Sequence, residues 1–166
     1  MTRLGTARSR LGRIRRLDAG ELLLGLQAPV LLPLFAFALD RWGLRRVQHR
    51  LVSLARRRTV LLDGPAALEG ARRLSWVVET AARRGPWRAN CLQRSLLLWW
   101  YLYRRGLSGD LRIGVRRRPD GVPGTATLDF HAWVEHAGVV LNDVDDIRER
   151  FATFDRAIAP VDARWR

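Results

Sequence analysis

Apolar residues dominate the chain from Leu22 to Leu39 (LLLGLQAPVLLPLFAFAL), a stretch without a charge that approaches the roughly 20 residues a helix needs to span a bilayer. Gln27, the helix breakers Pro29 and Pro33, and arginines on both flanks work against a span, because no asymmetry of positive charge would orient it. A secretory signal also fits poorly, since the basic region before the stretch is long and no small-residue cleavage site follows. The expectation is a bent, largely buried helix packed on the domain, with membrane contact the less favoured reading. Leu51–Arg58 and Ala66–Arg84 read as further helices. In the second, Leu68, Ala71, Leu74, Val78 and Ala81 recur at helical spacing.

The pattern changes after Pro86. The run ANCLQRSLLLWWYLYRRG opens with a capping residue, Asn90, stays apolar through its middle, carries Arg104 and Arg105 in its last turn and meets Gly106, which delimits a buried helix with Cys91 in its first turn. Leu111, Ile113 and Val115 then alternate with polar residues, Pro119–Gly124 (PDGVPG) makes a loop, and Leu128–Glu135 and Val139–Leu141 read as two more strands. Helices followed by a small antiparallel sheet predict an α+β fold. At 166 residues the chain fits one domain of ordinary size. It divides into an N-terminal helical region with a basic arm over residues 1–85, packed on a core over residues 86–166.

The 30 cations against 16 acids leave a net charge of +14, and every cation is arginine. Arg3, Arg8, Arg10, Arg13, Arg15 and Arg16 concentrate that charge at the N-terminus, where it could meet nucleic acid, anionic lipid or an acidic peptide. No nucleic-acid motif accompanies it, and no nucleic-acid partner is expected. A 48% hydrophobic composition excludes a disordered chain. One cysteine and three histidines (His49, His131, His136) give neither a disulfide nor a zinc-ligand set, so no metal and no cofactor is expected, and the free thiol suits a reducing, cytoplasmic compartment.

Three residues carry candidate chemistry. A helix N-terminus concentrates unpaired N–H groups and the positive end of the macrodipole, which favours a thiolate there over a thiol. Cys91 has that position, although a lone cysteine is more often a small buried hydrophobe. If the two hairpin strands pair about a three-residue turn centred on Ala137, Glu135 faces Val139, Trp133 faces Leu141 and His131 faces Asp143, on one side of the sheet. Asp143 would then orient the imidazole, whose other nitrogen could take the Cys91 proton. A turn one residue longer or shorter would put Asp143 on the other face, and Asp145, of the same parity, is its nearest acidic competitor. Trp99, Trp100, Tyr101 and Tyr103 read as core, Arg94 as a solvated or carboxylate-binding arginine, and Trp133 and Glu135 as cleft-lining or packing residues. His49 and His136 read as solvated.

NCLQRSLLLWWYLYRRG, followed by LRIGVRR, HAWVE and GVVLND, resembles the transglutaminase-like leader peptidases of lasso-peptide biosynthesis, related to the C-terminal part of the microcin-processing B protein. The resemblance covers Arg83–Asp143, with Phe130 standing where an alanine usually precedes the histidine. It implies a papain-like cysteine protease core with Cys91, His131 and Asp143 as catalytic residues. It also implies removal of the leader from a ribosomally made precursor peptide, freeing the core N-terminus for macrolactam formation. The first half shows no winged-helix leader-recognition domain, so the resemblance is to the stand-alone peptidase type, whose partners are the precursor, a separate small leader-recognition protein and an asparagine-synthetase-like lasso cyclase. Two other readings stay open: an acyltransferase or transglutaminase using the same triad, and a non-catalytic membrane-surface or peptide-binding module.

Overall fold

The computed structural model describes residues 18–54, 64–119 and 126–153. The N-terminal arginine arm, Arg56–Arg58 and the tip of the Pro119–Gly124 loop lie outside the described residues. Three helices come first: α1 (Ala19–Leu54), α2 (Pro65–Arg84) and α3 (Cys91–Arg105). They are followed by β1 (Asp110–Pro119), β2 (Ala126–His136), β3 (Val139–Val140), the single helical turn α4 (Ile147–Arg150) and β4 (Ala152–Thr153). The strands form one antiparallel sheet in the order β3-β2-β1-β4. The fold is α+β, as the order of elements predicts.

Helix α1 differs from its expectation in two ways. It runs unbroken through Pro29 and Pro33 and kinks instead at Gly43, whose φ of 74° and ψ of 162° leave the helical region. A positive φ carries no steric penalty for glycine. Packing of Leu24, Ala28, Leu32 and Phe35 into the core holds the helix together across the hydrogen bonds its prolines cannot make. Nor is it largely buried. Leu26, Val30 and Phe37 are 77%, 70% and 62% exposed, so α1 buries one face and leaves an apolar stripe on the other. Among the described residues it is also the one helix long and apolar enough to cross a membrane. An open apolar groove of about 620 Å³ lies between α1 and α2, lined by Leu22, Leu26, Pro29, Trp76, Val77 and Ala81.

Side chains pin α1 to its neighbours at both ends. Asp18 and Glu21 cap the first turn reciprocally, the Glu21 amide donating to Asp18 Oδ1 at 2.6 Å and the Asp18 amide to Glu21 Oε2 at 3.0 Å. Arg73 of α2 then pairs with the buried Glu21 at 3.0 Å, and Arg105 at the end of α3 grips both Asp18 oxygens. The Arg105 hydrogen bonds, helped by the Glu21 amide, lower the Asp18 carboxyl to about 2. Near the other end of α1 the Leu51 carbonyl accepts from Trp100 Nε1 at 3.2 Å. Leu97 and Tyr101 of α3, Leu74 and Val78 of α2, and Leu111 and Val134 of the sheet complete one hydrophobic cluster.

Alternation along β2 sorts its side chains between two faces. Val134 points into the helical core, whereas Trp133 packs with Ile147 and Phe151 in a second, smaller cluster. His136, expected at a solvated hairpin tip, is instead the last residue of β2, 1% exposed, and its Nδ1 donates to the Ser108 carbonyl at 2.7 Å.

Candidate active site

Cys91 is the first residue of α3, and its neighbours fix that helix start. Asn90 Oδ1 accepts from the Gln93 amide at 2.9 Å while Gln93 Oε1 accepts from the Asn90 amide at 3.1 Å, a reciprocal capping box. Trp87 Nε1 donates to the same Gln93 oxygen at 3.3 Å. The thiol is free and half-buried, and the Cys91 amide is among those without an intrahelical partner.

His131 lies on β2 opposite Gly114 of β1. Its ring lies 5.2 Å from the Phe151 ring and 6.3 Å from that of Trp133, between centroids. The absence of a side chain at position 114 makes room for this stack: a Cβ there would approach Phe151 Cβ to 2.8 Å and the Trp133 ring to 3.0 Å. On its other side His131 Nε2 contacts Asp143 Oδ2 at 2.5 Å. In the neutral imidazole the proton therefore sits on Nε2, which leaves Nδ1 with its lone pair.

The pair forms by a route that the expected register does not describe. Glu135 pairs with Val140 and His136 with Val139, so the hairpin closes on the two residues Ala137 and Gly138, with φ values of 47° and 78°. Positive φ at both central positions matches the turn that best continues strand twist. Continued as a regular ladder, this register would set Asp143 opposite Ala132, on the face away from His131. The ladder stops first. The Leu141 amide still donates to the Val134 carbonyl at 2.9 Å, but the Leu141 carbonyl turns to α2 and accepts from Ser75 Oγ at 2.8 Å. The Val134 amide donates to Asn142 Oδ1 at 2.8 Å instead. Asn142 Nδ2 donates to Ser95 Oγ at 2.9 Å, and Ser95 Oγ donates to the Ala132 carbonyl at 2.9 Å. With residues 141–143 bent out of the strand, the Asp143 carboxylate reaches the imidazole.

Ser95 lies one helical turn after Cys91, on the same face of α3. Its bond to Ala132, the residue after His131, ties α3 to the strand that carries the His131–Asp143 pair. No hydrogen bond joins the Cys91 thiol to the imidazole among the described residues. Asp145, the competing acid, is exposed. The structure thus pairs His131 with Asp143 directly and ties α3, the helix that begins at Cys91, to the residue after His131 through Ser95.

Residues 31–155 match the transglutaminase-like superfamily. The chain belongs to that superfamily. No curated protein and no solved structure matches it. The superfamily covers cysteine proteases and acyltransferases that typically use a Cys-His-Asp set, and its match spans both the helices of the first half and the sheet.

The remaining polar groups of this transglutaminase-like site brace it. Trp133 is fully buried, and Glu135 is 3% exposed. Glu135 Oε1 accepts from Trp133 Nε1 at 2.8 Å and from Arg148 Nε at 2.7 Å, and Oε2 from Arg112 Nε at 3.2 Å. Burial works against the Glu135 charge, but the bonds from Arg148 and Trp133 and the charges of Arg148 and Arg112 outweigh it, so the carboxyl titrates below its usual 4.5. Through Arg148 this cluster fastens the α4 segment, and with it Phe151, over His131. Arg94 spends its charge on Glu79 of α2 at 2.9 Å. Trp99 and Tyr101 are core residues, 1% and 0% exposed. Ser95 and Asn142 emerge only from the structure. Their signal in the sequence is faint: a serine at i+4 from Cys91 and an asparagine just before Asp143.

Proposed function

We propose that this protein is a cysteine endopeptidase that removes the leader from a ribosomally made lasso precursor peptide, with Cys91 as nucleophile, His131 as acid and base, and Asp143 as the residue that orients His131. The observation that carries the reading is the His131 Nε2–Asp143 Oδ2 contact of 2.5 Å, on a strand that Ser95 ties to the capped helix beginning at Cys91, in a member of the transglutaminase-like superfamily. It is supported further by the motifs CLQRSL, HAWVE and GVVLND, which resemble those of lasso leader peptidases.

In the first half-reaction His131 Nδ1 takes the Cys91 proton, and the thiolate attacks the scissile carbonyl to form a C–S bond. As the tetrahedral intermediate collapses, the C–N bond breaks and His131 returns the proton to the departing amine, which is the new N-terminus of the core peptide. In the second, His131 deprotonates water, which attacks the thioester; the leader carboxylate forms, and Cys91 leaves as the thiolate. Asp143 accepts from Nε2–H throughout and stabilises the imidazolium. The Cys91 amide, unpaired at the helix start, serves as one oxyanion donor.

The same triad could pass the acyl group to an amine, so product identity is the test. Mass spectrometry of a precursor incubated with the protein should find the leader with a free C-terminal carboxylate and the core with a free amine. A leader joined through an amide to an added amine would make the protein an acyltransferase instead. The partners in this reading are a separate leader-recognition protein and an asparagine-synthetase-like cyclase in the cytoplasm. In this reading the exposed apolar stripe of α1 and the adjoining groove are the docking face for the leader-recognition protein or for the cyclase.

A further inference from the structure

The edge of β2 beside His131 is completed by side chains. Leu141, just past β3, keeps one ladder bond to Val134, but Asn142 Oδ1 accepts from the Val134 amide and Ser95 Oγ donates to the Ala132 carbonyl where the backbone of residues 141–143 would otherwise bond. Two consequences follow from the same substitution of side chain for main chain. Asp143 is released from a register that would aim it at the opposite face, and α3 is tied through a fully buried serine to the strand that carries His131. The two side chains are bonded to each other at 2.9 Å, so the Cys91 helix, the His131 strand and the Asp143 bend meet in one hydrogen-bonded link.

We propose that Ser95 and Asn142 are positioning residues that set the His131–Asp143 pair and hold the Cys91 helix against it. The inference rests on the triad reading above. Neither residue touches substrate in this account: Ser95 is buried and Asn142 spends both its amide groups on the link. Their geometry decides whether the imidazole keeps its proton on Nε2 and presents Nδ1 toward the thiol. A displacement of about 1 Å at such a point is enough to cost orders of magnitude in rate.

The test uses the full chain and needs no precursor. Nitrogen NMR of 15N-histidine protein, with His131→Gln for assignment among the three histidines, reads the imidazole tautomer. Iodoacetamide, followed by intact mass, reads the reactivity of the single cysteine. The wild type should hold neutral His131 as one Nε2–H tautomer. In Ser95→Ala and Asn142→Ala the tautomers should mix and alkylation at neutral pH should slow about tenfold. Leu32→Ala, a core change on α1 that destabilises without touching the link, should leave both signals as in the wild type. If Asn142→Ala does not fold, Ser95→Ala, which removes a single oxygen, carries the comparison. Unchanged tautomer and reactivity in folded Ser95→Ala would overturn the proposal and leave the triad standing. The same losses in Leu32→Ala would overturn it as an effect of general destabilisation. Mixed tautomers in the wild type would overturn the His131–Asp143 pairing, and the positioning role with it.

Discussion

Replacing Glu135 by Gln keeps the size of the side chain and removes its charge, which tests how the α4 segment is held over His131. Loss of one partner from a buried ion pair costs about 3–5 kcal/mol when the remaining charge is stranded. Here Arg112 and Arg148 remain 27% and 47% exposed, so water can solvate them, and the Gln oxygen can still accept from Trp133. The expected cost at neutral pH is therefore about 2 kcal/mol, or a drop of about 4–8 °C in Tm for a domain of this size. The sign of the pH dependence follows from the lowered carboxyl. Its contribution is fully present above the unfolded-state value and is lost as pH falls through the lower folded-state value. Urea unfolding of both proteins from about pH 7 to about pH 3.5 should show a gap that is widest at neutral pH and narrows toward the acid end. A gap that persists unchanged into acid, or no gap at pH 7, would refute the reasoning.

Three further outcomes are expected. Asp143→Asn should lower kcat by about 10³–10⁴, the scale on which a misdirected imidazole tautomer acts, while Asp145→Asn stays within about twofold of wild type; equal losses in steady-state assays would mean that the wrong acid has been assigned. Gly114→Ala should cost about 1–3 kcal/mol in chemical denaturation through overpacking, because its Cβ would meet Phe151 and Trp133 at 2.8 and 3.0 Å, and a neutral result would show that this stack is loose. Cleavage should be slow without a leader-recognition protein and faster with it, mainly through KM, since tethering raises the effective concentration of the scissile bond; identical kcat/KM values would show that this chain binds leaders unaided.

The parts of the fold legible in the sequence are those set by local chemistry. Asn90, the arginines of the last turn and Gly106 delimit α3, and the structure begins it at Cys91 and ends it at Arg105. The alternation of Leu111, Ile113 and Val115 gives β1. Long-range competition hides the rest. The hairpin turn could not be read because Ala137 adopts a positive φ of 47°, a conformation that the sequence signals only when asparagine, aspartate or glycine stands there. The His131–Asp143 pair forms all the same, because Ser75, Ser95 and Asn142 interrupt the ladder before the register reaches Asp143. In α1, the prolines read as bends, yet packing against α2 and α3 carries the helix past them, and the backbone yields at Gly43 instead. The apolar run there reads as buried because composition reports hydrophobicity and not which face has a neighbour.

The central claim is that Cys91 is the nucleophile of leader removal. Incubating a precursor peptide and its leader-recognition protein with wild type or with Cys91→Ala at matched concentration, and following the peptide by mass spectrometry, addresses it directly. The substitution removes one sulfur from a half-buried position, so the variant should fold with a Tm close to wild type. The account predicts complete conversion to leader and core with the wild type and intact precursor with the variant. Full cleavage by folded Cys91→Ala would contradict it.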